Sequence, residues 1–221
     1  MKHYKEWVLW VLIIAFGGIY LSLCFNNNIW TDEGYTIDLL RNCKTFQEVC
    51  NFTAEDVHPP LYYLILKIFT DRFGIHLLLI KILSIVPMLL TMVLGATVIR
   101  KEFGFRTALF FILTMGTLPC TMEYAVQARM YTWAIFFVTL CGLEAYRTAT
   151  QGKLIGWLGY LLGGVGAAYT HYFAFVAVLW IYGFLFLYLL IRRRKQLLKW
   201  LATALLSLVI YLPWLTKMSA Q

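Results

Sequence analysis

Long apolar stretches with at most one charged side chain recur along almost the whole chain, and they restrict its fold more than any other feature. The first runs from Trp7 to Phe25, close to the ~20 residues that a helix needs to cross the hydrocarbon core of a bilayer. Others follow at about Ile75–Ile99, Tyr131–Tyr146, Leu154–Ala168, Tyr172–Ile191 and Leu198–Leu215, with a shorter one at Thr107–Leu118 that ends on Pro119. Backbone groups in lipid must be satisfied within the segment, so such stretches fold as helices. The expectation is an all-α, polytopic membrane protein, with residues 1–221 as a single transmembrane domain of about seven spans. Composition agrees. The chain is 61% hydrophobic and only 14% charged, whereas a soluble domain carries about 25% charged residues. A soluble helical bundle would also need polar helix faces, which most of these runs lack.

The formal charge of +8 is not a nucleic-acid footprint, and no nucleic-acid partner is expected. Its basic residues fall in short clusters between apolar runs: Lys2 and Lys5, Arg100-Lys101 with Arg106, Arg147 and Lys153, and Arg192–Lys195. This is the pattern by which positive loops fix topology. It puts the amino terminus in the cytoplasm and the loop at 26–75 outside, with anionic membrane lipids as partners of the clusters. Asn26-Asn27-Asn28 lacks a small-residue cleavage pattern, so the first run reads as a signal anchor or first span. Lys81, near the outer end of the second run, can snorkel. Cys120–Met130 forms the next outer loop or a broken helix.

The 26–75 loop has helical signals of its own. Thr31 can cap a helix whose first turn carries Asp32 and Glu33. Thr45-Phe46-Gln47-Glu48 is a capping box, and Thr53-Ala54-Glu55-Asp56 resembles a second. Pro59 and Pro60 suit the first positions of a helix running toward Arg72. Leu61, Leu64, Ile65, Ile68 and Phe69 outnumber Lys67, Asp71 and Arg72 on it, which fits a helix lying along the membrane surface. Cys43 and Cys50 share this loop, and a local disulfide and two thiols are both open.

The same loop gathers side chains able to do chemistry. Asp32 and Glu33 are adjacent, so on a helix they diverge by roughly 100°; ordinary capping charge and a role as metal ligand or base both fit them. Asp56 and His58 precede a rigid diproline. Asp56 could share a divalent cation with Asp32, and His58 could contact a phosphate; the alternative is a solvated acid and an interfacial histidine. In the next outer loop, Glu123, Gln127 and Arg129 precede Tyr131. A lone Arg on the outer side runs against the charge bias, and a guanidinium can hold a phosphate through two parallel hydrogen bonds. His171 lies at another outer end and could line the same cavity. No Gly-rich phosphate loop, Cys-pair metal site or zinc-type His pair is found in the sequence, so no nucleotide cofactor is expected. Asn51-Phe52-Thr53 is formally a glycosylation sequon.

Read together, Trp30-Thr31-Asp32-Glu33, Asp56-Val57-His58-Pro59-Pro60-Leu61-Tyr62-Tyr63 and Gln127-Ala128-Arg129-Met130-Tyr131 resemble the amino-terminal half of membrane glycosyltransferases with the GT-C fold. The closest branch is similar to the protein mannosyltransferases that use dolichyl-phosphate-mannose and to the bacterial aminoarabinose transferases, in glycosyltransferase family 39. Thr170-His171-Tyr172-Phe173 and Tyr211-Leu212-Pro213-Trp214 extend the resemblance over nearly the whole chain. It implies a GT-C type bundle in the cell envelope, with surface-lying helices in its first outer loop. It implies an inverting transfer of a hexose or pentose from a polyprenyl-phosphate donor to a lipid, glycan or protein acceptor on the outer face.

By the same resemblance, Asp32 serves the catalytic centre as base or metal ligand, with Glu33 in support. His58, Arg129 and Lys67 lie by the donor phosphate, and Gln127, Tyr131 and His171 complete the cavity. A divalent cation (Mg or Mn) would sit at Asp32 and Asp56. Relatives often carry an acid where this chain has Gln127, which offers a hard cation only a neutral oxygen. Family members are usually longer, so a truncated chain, or one needing a partner for missing helices, is part of the expectation.

Overall fold

A computed structural model describes residues 4–25, 29–56 and 58–218, with the side chains of Tyr4, Lys5 and Met218 left out. Expectations placed on Lys2, Asn26–Asn28, Val57 and residues 219–221, and on the side chain of Lys5, fall outside this description. Every regular element among the described residues is helical. They are α1 (Tyr4–Cys24), α2 (Thr31–Asn42), α3 (Phe46–Ala54), α4 (Leu61–Phe73), α5 (Leu77–Leu94), α6 (Arg100–Phe103), α7 (Phe105–Thr117), α8 (Pro119–Ala125), α9 (Tyr131–Gln151), α10 (Leu154–Thr170), α11 (Tyr172–Arg192) and α12 (Leu197–Met218). A π turn at Gly95–Ile99 joins α5 to α6.

By length and composition, four segments among the described residues can cross a membrane: Glu6–Cys24, Leu77–Phe103, Tyr172–Arg192 and Arg194–Lys217. A fifth results if α7 and α8, bent by 67° at Leu118, count as one broken span. That is fewer than the seven expected. Helix α10 is apolar but short. Helix α9 is long, yet carries an ion pair between Arg147 and Glu144 (Nη1–Oε1 2.6 Å) and a Thr-rich end. The broken-helix reading of 120–130 matches the bend, because Pro119 has no N–H to continue α7 and opens α8 instead.

The chain divides into two compact units, Met1–Lys44 with Ile65–Phe136, and Thr45–Leu64 with Phe137–Gln221. In the first, α1 buries Leu9, Ile13, Phe16 and Tyr20 along one stripe, the three- and four-residue spacing of a helix face. This face packs on α5 and α7. The Phe16 ring occupies the space a Cβ would need at Gly116, and the Tyr20 hydroxyl donates to the Met115 carbonyl (3.3 Å). At the other end of α1, Glu6 pairs with Arg100, so the start of α1 and the end of the Leu77–Phe103 segment lie at the same end of the unit.

In the second unit, α10 packs on α11 and α12. Its glycines let helices approach closely, as small residues do where lipid gives no hydrophobic push between helices. At Gly163 a Cβ would stand 2.5 Å from the Cys141 backbone nitrogen and 2.8 Å from its Cα, and backbone cannot swing aside. Gly163→Ala is therefore expected to destabilise the protein by ~1–3 kcal/mol, read as a fall in apparent Tm in detergent. Gly18→Ala, where a Cβ meets nothing within 4 Å, should show no such fall.

Local capping departs from expectation at two places. Helix α2 is capped at Trp30, one residue before Thr31, because Glu33 reaches back to accept from the Trp30 N–H (2.9 Å). The sequence Thr53–Asp56 ends α3 instead of starting a helix. The Thr53 hydroxyl is buried and donates to the Val49 carbonyl (2.9 Å). Thr45 does cap α3, accepting from the Glu48 N–H (3.2 Å). The diproline precedes α4, with the Pro60 carbonyl accepting the Leu64 N–H (2.9 Å). On α4 the buried positions are Tyr62, Tyr63, Leu66, Lys67 and Thr70, while Ile68, Phe69 and Phe73 are exposed. Cys43 and Cys50 are thiols and not a disulfide.

Candidate functional site

In the first unit, the N-terminal turn of α2 is fastened to the loop at 126–130. Glu33 is fully buried (0% exposed). One of its oxygens accepts the Ala128 N–H (2.6 Å) and the other the Trp30 N–H. The Thr36 hydroxyl donates to the Ala128 carbonyl (2.9 Å). Arg129 Nη1 donates to the Asp32 carbonyl (3.1 Å), and its guanidinium lies 5.9 Å from the Tyr35 ring centroid. The loop is held in turn from α5. The Ser84 hydroxyl donates to the Arg129 carbonyl (3.3 Å), that of Thr132 to the Ser84 carbonyl (2.7 Å), and Trp133 Nε1 to the Leu83 carbonyl (3.1 Å).

Asp32 and Glu33 thus separate as helical geometry requires: Glu33 points inward and Asp32 is exposed. Arg129 uses only the backbone of Asp32, leaving the carboxylate out of the clamp. Such an arrangement can present a base or anionic ligand on a rigid carrier. Arg129, expected as a phosphate contact, is 4% exposed and here braces α2. Tyr131 packs on Tyr124 (ring centroids 4.6 Å).

Beside the clamp is a cavity of about 260 Å³ lined by Leu23, Trp30, Glu33, Lys81, Glu123, Val126 and Gln127. Gln127 donates to the exposed Glu123 carboxylate (3.3 Å). Lys81 does not snorkel to an exposed position; it is 4% exposed and faces this cavity. The sequence places Lys81 only as a snorkelling charge and Trp30 only within the Trp30–Glu33 motif, neither as a site residue. A lysine inside an apolar run was the available signal, but snorkelling explained it equally well.

The second unit assembles another group. Asp56 Oδ2 lies 2.8 Å from His58 Nδ1, and the His58 and His171 rings are 5.8 Å apart at 66°. His171 caps α11, its Nδ1 accepting the Phe173 N–H (3.1 Å). The neutral His171 ring therefore carries its proton on Nε2 and is a donor there. With Asp56 accepting from Nδ1–H, His58 Nε2 accepts when neutral and donates when the ring is protonated. Helix α3 packs against the nearby ends of α10 and α12 through Ala54, Ala168, Tyr211 and Trp214, and Lys217 donates to Asn51 (2.8 Å).

Lys67, the remaining candidate, is buried and paired with Asp71 (2.6 Å). Among the described residues no group of three or more His, Cys, Asp or Glu side chains is placed to hold a metal ion. A second, almost wholly apolar cavity of about 400 Å³ lies among α10, α11 and α12, lined by residues including Gly164, Phe175, Tyr182, Trp200, Ser207 and Tyr211.

Residues 57–216 match the family described as dolichyl-phosphate-mannose-protein mannosyltransferase. No curated protein and no solved structure matches the chain. The matched stretch includes His58, Arg129 and His171, and begins after Asp32 and Glu33.

Proposed function

This chain belongs to the dolichyl-phosphate-mannose-protein mannosyltransferase family, and on that premise we propose that it is a membrane glycosyltransferase of GT-C type. It moves a sugar from a polyprenyl-phosphate donor to a lipid, glycan or protein acceptor on the outer face of the cell membrane. The resemblance to glycosyltransferase family 39 and the aminoarabinose transferases supports this finer reading. The observation that carries it is Asp32, an exposed carboxylate on a helix turn that Glu33 and Arg129 immobilise.

In this reading Asp32 takes the proton of the acceptor hydroxyl or amine. The acceptor oxygen or nitrogen bonds to the anomeric carbon as the bond from that carbon to the phosphate oxygen breaks. The single displacement inverts the anomeric centre and leaves polyprenyl phosphate. His58 and His171 suit the phosphate, since each can present an Nε2 donor to a developing oxyanion. Asp56 accepts at His58 Nδ1 and so orients that ring, and His58 donates from Nε2 in its protonated form. Glu33 and Arg129 are read here as positioning residues.

A divalent cation stays within the proposal, with Asp32 a candidate ligand in the first unit and Asp56 one in the second, and would supply positive charge at the phosphate when bound. Glu33 has both oxygens on backbone donors and Gln127 offers a neutral oxygen, so no step above passes through the ion. Turnover lost in EDTA and restored by Mg or Mn would assign the ion; turnover indifferent to EDTA would leave phosphate stabilisation to His58 and His171.

The test is reconstitution of the full chain in liposomes with a panel of polyprenyl-phosphate sugars and acceptors. Sugar transfer with inverted anomeric configuration is expected. Donor binding without transfer would favour a second reading, a non-catalytic subunit that binds polyprenyl lipid. The apolar cavity among α10, α11 and α12 is what favours it, because it could hold hydrocarbon whether or not chemistry follows.

A further inference from the structure

Basic side chains collect at one end of the second unit with no acid among them. The turn between α9 and α10 meets the turn between α11 and α12 there. Lys199 Nζ donates to the Gly152 carbonyl (3.5 Å), and the Gln196 side chain occupies the space a Cβ would need at Gly152. Lys153, Arg192, Arg193, Arg194, Lys195 and Lys199 are all exposed. No Asp or Glu follows Glu144 in the chain, and Glu144 pairs with Arg147. The unit's remaining acids, Glu48, Glu55 and Asp56, lie on or just after α3, whose Ala54 packs at the other ends of α10 and α12. The basic turn of the first unit differs: Arg100 pairs with Glu6, and Glu102 stands between Lys101 and Arg106. Fixing topology takes positive charge alone. Converging, uncompensated cations repel one another, and an anion among them relieves that repulsion.

The apolar cavity of about 400 Å³ starts beside these turns. On α12 it is lined by Trp200, Ala204, Ser207, Tyr211 and Leu215, a stripe with the three- and four-residue spacing of one helix face. Trp200 follows Lys199 directly, and its Nε1 donates to the Tyr182 carbonyl on α11 (3.2 Å). From Trp200 to Leu215 the stripe is about 22 Å long at ~1.5 Å per residue. That exceeds one leaflet, about half of the ~30 Å hydrocarbon core, so a whole acyl chain fits along it. The Tyr182 and Ser207 hydroxyls bond each other (2.8 Å) and need nothing from an occupant.

We propose that the groove and the basic turns together hold one anionic glycerophospholipid of the leaflet that faces those turns. Its phosphate sits among Lys153, Arg193 and Lys195, and one acyl chain lies along the α12 stripe. Charge decides the occupant. A second copy packed side by side would bring the basic turns together. The sugar donor's phosphate belongs at the other end: His171 opens α11 and the basic turn closes it, about 30 Å away over its 21 residues.

The full chain, purified in detergent and titrated by native mass spectrometry, tests this with dioleoyl-phosphatidylglycerol against dioleoyl-phosphatidylcholine. One phosphatidylglycerol per chain is expected to be retained in preference to phosphatidylcholine. Neither glycerophosphate nor undecaprenyl phosphate in equal amount should displace it. Arg193→Gln with Lys195→Gln should weaken its binding by roughly twentyfold, about fivefold for each cation at a membrane surface. Lys101→Gln with Arg106→Gln, the same loss of charge in the first unit, should leave it unchanged. Gly183→Phe should weaken it by roughly tenfold, since Gly183 lines the groove and a seated chain loses its dispersion contacts there. This variant keeps the fold, because a Cβ at Gly183 meets nothing within 4 Å; apparent Tm checks it. No preference for phosphatidylglycerol, equal losses from the two double variants, or binding indifferent to Gly183→Phe would overturn the proposal. So would displacement by undecaprenyl phosphate, which gives the groove to the donor, by glycerophosphate, which leaves a soluble phosphate site, or a lipid-free dimer, which gives it to a second copy. None of these readouts involves sugar transfer, so this proposal and the glycosyltransferase reading fail separately.

Discussion

Asp32→Asn is expected to lower sugar transfer by about 10²–10⁴-fold, the usual contribution of a positioned general base, while leaving the protein folded and donor affinity unchanged. The substitution keeps size and shape and removes only the ability to accept a proton. Its structural cost is small, because Arg129 holds the Asp32 backbone carbonyl and not its carboxylate. What is lost is a charge at the start of α2, typically about 0.3–1 kcal/mol at an exposed helix N-terminus. The comparison is initial transfer rate in liposomes at saturating donor, with apparent Tm on the same preparations. A variant that turns over at the wild-type rate would remove Asp32 from the chemistry. A variant that loses rate and Tm together would make it a structural residue.

Much of this arrangement could be read before any fold was known, and the parts that could not share a cause. Helices in lipid are dictated by backbone hydrogen bonding, so α1, α5, α11 and α12 follow directly from hydropathy. The outer helices follow from caps, and the Thr45 cap is where the sequence places it. Where a side chain from far along the chain intervenes, local rules fail. Thr31 loses the cap position because Glu33 is drawn back onto Trp30 while also binding Ala128, an interaction across 95 positions. Lys81 reads locally as a snorkelling charge, and only the position of Glu33, Glu123 and Gln127 around it shows a cavity. Arg129 was legible as an unusual outer-side arginine, but its brace on Asp32 was not. Asp56 and His58 were read as separate contacts, and their pairing is seen only in the fold, where His171 is brought beside His58 by the turn between α10 and α11.

The neighbouring carboxylate should fail in the opposite way. Glu33→Gln is expected to destabilise the protein by about 2–4 kcal/mol, because both of its carboxylate oxygens accept backbone N–H groups in a buried site and charge-assisted bonds of this kind are worth about 1.5–3 kcal/mol each. Glutamine has one oxygen to offer; its amide nitrogen must face the second N–H, donor against donor. The fall in apparent Tm should be on the order of 10 °C for a chain of this size. Transfer should fall with it, since the same bonds fix the turn that carries Asp32. Temperature separates the two carboxylates. Activity of Glu33→Gln should recover partly on cooling, as the folded population returns, whereas the Asp32→Asn defect is chemical and should persist at every temperature. A Glu33→Gln protein with wild-type Tm and no transfer would overturn this division, and would place Glu33 at the reacting atoms together with Asp32.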